Sequence, residues 1–146
     1  AIEEYAMTNT AIFWPMIIQA ALTFAVYVIM SRRRIQGVRQ GTAKAADYKV
    51  PTVEPEYSAT AVRNLSNQFE LPVLFFVVCL SLQMTAGVNY VALLLAWVFV
   101  LSRLVHAYVH MGSNKLRLRR PVFIVGFLCC LLLWVWLAVH LLIGSL

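Results

Sequence analysis

Residues 63–86 read RNLSNQFELPVLFFVVCLSLQMTA. The stretch begins polar and becomes almost wholly apolar at Leu71. In the polar part Arg63, Asn67 and Glu70 stand at i, i+4 and i+7. At about 100° per residue they share an arc of roughly 60° on one helix face. The apolar part, Leu71 to Ala86, is short of a bilayer crossing, since a helix rises about 1.5 Å per residue and the hydrocarbon core is about 30 Å thick. One helix from about Ser58 to Gly87 crosses comfortably, with Pro72 expected to kink it or to loosen one backbone bond. The segment reads as a membrane span that carries a polar face at one end.

Composition supports lipid as the surrounding medium. Of the 146 residues, 62% are hydrophobic and 12% charged. Soluble domains are roughly half apolar and about a quarter charged. A chain this small forms one domain and cannot cover so much apolar surface with its own atoms.

Before this span lies Ala11–Ser31, 21 residues without a charge, with Pro15 near its start and Trp14 and Tyr27 placed for the interfaces. After it, Gly87, Val88 and Asn89 make a short turn. The run from Tyr90 crosses only if it continues through Arg103, His106 and His110 to about Met111. Gly112, Ser113 and Asn114 end it. A fourth helix is expected over 121–143, with Pro121 as an early residue. The expected architecture is therefore all-α, a single transmembrane domain with helices at about 11–31, 58–87, 90–111 and 121–143.

The net charge of +6 does not imply nucleic acid, because the cations cluster beside apolar runs. The loop 32–57 holds six basic and three acidic side chains, and Pro51 and Pro55 discourage a helix through it. The loop before helix four holds Lys115, Arg117, Arg119 and Arg120. Both basic loops are thus expected in the cytoplasm and both termini on the opposite side, in an inner membrane of bacterial type. Glu3 and Glu4 at the start argue against the basic region of a cleavable signal. Cys79, Cys129 and Cys130, an odd number within apolar runs, read as buried free thiols.

Polar side chains inside spans need a reason. Arg103, His106 and His110, at i, i+3 and i+7, also fall within about 60° of one face. The two polar faces lie toward the same ends of antiparallel neighbours and are able to meet. The plain reading is an ion pair of Glu70 with Arg103 or Arg63 that holds helices in register. One carboxylate against two arginines, two histidines and an asparagine leaves donors over, and an anionic ligand would balance them. A metal is not expected, because the two histidines have no strong third ligand beyond Glu70. A small proton-coupled transporter would need a carboxylate in the first span, and Ala11–Ser31 has none.

The Arg-x3-Asn-x2-Glu pattern of Arg63, Asn67 and Glu70, followed by Pro72, resembles helix two of the MAPEG family, the membrane-associated proteins in eicosanoid and glutathione metabolism. Arg103-Leu104-Val105-His106 is similar to that family's helix-three pattern, and the order of helices and loops agrees over nearly the whole chain. The resemblance implies a four-helix bundle assembled as a homotrimer in the lipid bilayer. It implies a glutathione-dependent transferase or peroxidase, with glutathione as co-substrate and a hydrophobic small molecule as its acceptor. Carried over by position, Arg63, Asn67, Glu70, Arg103, His106 and His110 would bind glutathione, with one of Arg32, Arg33 and Arg34, taken as Arg33, reaching a carboxylate. Arg117 or Arg120 would stabilise the thiolate. One departure stands out: His110 occupies a place where the family's synthases usually carry tyrosine. This keeps open a non-catalytic member of the fold, one that binds lipid or serves a larger complex.

Overall fold

The computed structural model describes residues 10–49 and 53–145. Glu3, Glu4 and Pro51, used above, lie outside the described residues. Five long helices follow one another among the described residues: α1 (Phe13–Arg39), α2 (Glu56–Gln68), α3 (Leu71–Met84), α4 (Tyr90–Met111) and α5 (Leu116–Gly144). A short 3-10 turn, Ala45–Tyr48, stands between α1 and α2. With α2 and α3 taken as one crossing, Glu56–Met84, four helical stretches among the described residues are long and apolar enough to span a membrane. The all-α, four-span bundle expected from the sequence is what the structure has.

Three boundaries differ from those read in the sequence. α1 does not stop at Ser31 but continues to Arg39. Charge ends a hydrocarbon run without ending a helix, and arginine is a good helix former. The helix stops before Gly41, whose φ is +76°. α5 begins at Leu116, so Pro121 lies inside it. Proline that near the start leaves only the carbonyl four residues earlier without its usual donor.

The third difference bears on the site. The expected continuous second helix is broken at Phe69 and Glu70. Proline lacks an N–H, and its ring clashes with the carbonyl four residues before it. For Pro72 that residue is Gln68, where α2 ends. Glu70 consequently leaves helical geometry, with φ −97° and ψ −105°.

The packing inverts the soluble pattern. Phe24, Leu94 and Leu142 are among many large apolar side chains on the outside. Gln19, Asn64, Gln68, Arg103, His106 and His110 are buried. An apolar core joins α3, α4 and α5 through Phe75, Val78, Leu82, Ala96, Phe99 and Leu133. Phe75 and Phe99 stack at 4.2 Å between ring centroids. α4 and α5 approach closely at Gly126, where a Cβ would lie 2.5 Å from Ser102 Oγ. Asn89 starts α4 as its N-cap, its side chain accepting from the Ala92 N–H at 2.8 Å. The first loop is pinned to α1 by a two-pronged pair, Arg34 Nε and Nη2 donating to Glu54 at 2.9 and 2.8 Å. Arg34 also lies over the Tyr48 ring, 5.1 Å from its centroid.

Candidate functional site

A cavity of about 730 Å³ opens between α2, α4 and the start of α5. The last two turns of α2 supply Arg63, Ser66 and Asn67, and the break after α2 supplies Glu70. α4 supplies His106 and His110. α5 supplies Arg119, Arg120, Phe123 and Ile124, which fall within an arc of about 140° on that helix. Three arginines therefore stand around one carboxylate.

Arg103 lies behind the cavity and is only 1% exposed. Its Nη2 donates to the Asn67 carbonyl at 3.3 Å. Its Nε and Nη1, and Nδ1 of His106, are buried and have no hydrogen-bond partner among the described residues. Burying an ion costs several kcal/mol even after relaxation, unless acceptors compensate. The plain reading of Glu70 as an ion-pair partner does not apply to this geometry. The Arg34–Glu54 bridge, at 2.8 Å, is the ion pair formed among the described residues, and Glu70 has none there.

His110 touches α2 through its Nδ1, 3.2 Å from Asn64 Nδ2 and 3.4 Å from Asn67 Nδ2. Its ring meets that of His106 edge-on at 5.6 Å. The His106 ring also lies against Phe123, with centroids 5.7 Å apart. No group of three or more His, Cys, Asp or Glu able to hold a metal occurs among the described residues.

Of the residues singled out in the sequence, the cavity collects Arg63, Asn67, Glu70, His106, His110 and Arg120. Arg103 backs it from the second helix face. Arg33 and Arg117 do not line it. The Arg33 guanidinium donates to Thr60 Oγ1 at 2.9 Å and to the Met111 carbonyl at 2.7 Å. It thereby caps the C-terminal end of α4, where a cation is favoured. Arg117 stands in the first turn of α5, below the lining face. Sequence reading passed over Arg119 as one of several loop cations. Its signal was the i, i+4 spacing to Phe123, readable only once the helix is known to start at Leu116. Arg119 is steadied by Asn114, whose Oδ1 accepts from Nη1 at 2.6 Å.

A polytopic α-helical protein with a basic cavity at one end of its bundle is the class these features define. The sequence model of the MAPEG family matches residues 12–139, and the chain belongs to that family. It is therefore an integral membrane protein of the glutathione and eicosanoid metabolism group. Comparison with curated proteins gave no significant match. Comparison with solved structures gave none either.

Proposed function

We propose that the cavity binds glutathione and that the protein is a membrane-embedded glutathione-dependent transferase or peroxidase acting on hydrophobic electrophiles. The observation that carries this reading is the concentration of Arg63, Arg119 and Arg120 around a single carboxylate, Glu70, in one cavity. Glutathione is a tripeptide with a carboxylate at each end, one ammonium and a thiol. The arginines suit its carboxylates, Glu70 suits its ammonium, and Asn67 and Ser66 suit its peptide groups. The unpartnered donors of Arg103 lie close behind and add to the positive field.

The chemistry follows from charge. A free thiol titrates near about 8.5, so thiolate is scarce at neutral pH. A fixed cation beside the sulfur favours the thiolate, which is the nucleophile. Arg120, with Arg119 beside it, takes that role in place of Arg117. The thiolate then attacks an apolar acceptor that arrives through the lipid: its S–C bond forms as a leaving group departs with its electron pair or as an activated double bond takes up the pair and a proton, or, with a hydroperoxide, the O–O bond breaks and a second glutathione completes the disulfide, releasing alcohol and water. The proposal includes a homotrimer and cytoplasmic placement of both basic loops.

Isothermal titration of the purified full chain with glutathione tests the reading. Arg63→Ala and Arg120→Ala are expected to weaken binding by at least about tenfold, the equivalent of about 1.4 kcal/mol. Arg117→Ala serves as the control and leaves binding unchanged. Absence of a binding isotherm in the unaltered protein would sink the proposal. His110 supports the second reading, a non-catalytic member of the fold that binds lipid or serves as an accessory subunit of a larger membrane complex. Co-purification of a partner, with no conjugation of model electrophiles and no peroxide reduction, would select it.

A further inference from the structure

A chain of buried amides joins α1 to the cavity. Gln19 Nε2 donates to Gln68 Oε1 at 2.9 Å. Gln68 Nε2 donates to Asn64 Oδ1 at 3.0 Å. Asn64 Nδ2 in turn meets His110 Nδ1 at 3.2 Å, and Asn67 Nδ2 reaches the same nitrogen at 3.4 Å. Gln19, Asn64, Gln68 and His110 are all buried. The carboxamides are therefore confined to one another as partners.

Each carboxamide has one donor end and one acceptor end. Linked head to tail, the three must all point the same way. Two directions are possible, and they differ at the two ends of the chain. Donation toward His110 leaves Gln19 Oε1 as the unpartnered atom. The opposite direction would leave an NH2 group buried without an acceptor at that end. Orphaned N–H groups are rarer in folded proteins than under-satisfied carbonyls. Donation toward His110 is thus the favoured direction. It makes Nδ1 an acceptor, so Nδ1 carries no proton.

A ring whose Nδ1 accepts holds its proton on Nε2. None of the hydrogen bonds among the described residues uses His110 Nε2, and His110 lines the cavity. We propose that Gln19, Gln68 and Asn64 are positioning residues that hold His110 as the neutral Nε2–H tautomer, giving the cavity an N–H donor for an anionic ligand. The inference rests on the ligand reading above only for what this donor meets. The tautomer is a property of the free protein.

The chain contains three histidines, which suits ring nitrogen NMR of the full chain labelled with ¹⁵N-histidine in detergent micelles. His110→Gln identifies the His110 signals by their loss. The unaltered protein is expected to show His110 as the Nε2–H form with no detectable Nδ1–H form. Asn64→Asp replaces the donor facing Nδ1 by an acceptor, and the proton is expected to move to Nδ1. Gln68→Met removes the donor that stops the Asn64 amide from turning, and a second set of peaks from the Nδ1–H form is expected to appear. An Nδ1–H form in the unaltered protein overturns the proposal. So does a Gln68→Met spectrum identical to that of the unaltered protein. Glutathione added to the same sample tests the ligand separately: no response at any site, with the tautomer pattern as stated, removes the ligand reading and leaves the relay intact.

Discussion

Arg103 is where structure and function pull hardest against each other. Its guanidinium is almost fully buried, makes one hydrogen bond, and leaves two nitrogens unpartnered among the described residues. Buried charges of this kind seldom add stability, and replacing them by apolar residues of similar volume is often neutral or stabilising by 1–4 kcal/mol. Arg103→Met is therefore expected to leave thermal stability in detergent equal or higher, while glutathione binding falls. A variant that unfolds at a lower temperature and still binds normally would show that Arg103 serves the fold instead. Its presence on the pocket-facing side of α4 was readable from the i, i+3, i+7 spacing with His106 and His110. That no ion pair within 4 Å joins it to Glu70 was not. Glu70 leaves helical geometry at the break before Pro72, which spacing on an ideal helix does not describe.

Helix ends and close approaches decide the site at the scale of elements. The break between α2 and α3 sets Glu70 at the cavity rim, and the early start of α5 swings Arg119 into it. Sequence marked Pro72 and Pro121 as punctuation, but Pro72 follows a full break in place of the expected kink, and Pro121 lies inside a helix that begins at Leu116. α5 takes its position against α4 from Gly126, where an added Cβ would meet Ser102 Oγ at 2.5 Å. Gly126→Ala is expected to cost about 1–3 kcal/mol through overpacking. Ser102→Ala in the same chain should recover much of that, measured by denaturation in mixed micelles. The first loop is an element of a different kind, held by charge. The hydrogen bond from Arg34 holds the Glu54 carboxyl below its ordinary range, and Ser58 adds to this from Oγ at 2.7 Å. A carboxylate whose folded value is depressed stabilises the fold above its unfolded value, near about 4.3, and loses that contribution as pH falls through the folded value. Protease sensitivity of the loop is expected to rise below about pH 4. Glu54→Gln should show the higher sensitivity already at neutral pH, with no further rise on acidification from this group.

Across the whole molecule, large apolar side chains cover much of the surface, and a set of polar side chains is buried beside the apolar core. Phe24, Val28, Leu94, Leu128 and Leu142 face outward, as lipid demands. The cavity is open at one end of the bundle and backed by an arginine with donors to spare. A neighbouring copy closing that side is consistent with the proposed homotrimer. Native mass spectrometry from detergent is expected to show three copies, and glutathione added to the trimer should raise its resistance to dissociation. A chain that remains monomeric at every protein concentration, yet binds glutathione with unchanged affinity, would separate the site from assembly.

The sequence by itself determined the solvent, the number of crossings and the two polar faces. These follow from apolar run length, charge placement and helical periodicity, all of which are local properties of the chain. It also carried the family motif, through Arg63, Asn67 and Glu70. Only the tertiary structure decided which of those cations reach one space. Arg33 and Arg120 look alike as basic residues at helix ends, yet the first caps α4 and the second lines the cavity. The amide chain from Gln19 to His110 spans three helices, with Gln19 and Gln68 separated by 49 positions in sequence and Asn64 and His110 by 46. Hydrogen-bond partners so far apart in sequence are chosen by packing, and periodicity along one helix carries no information about them.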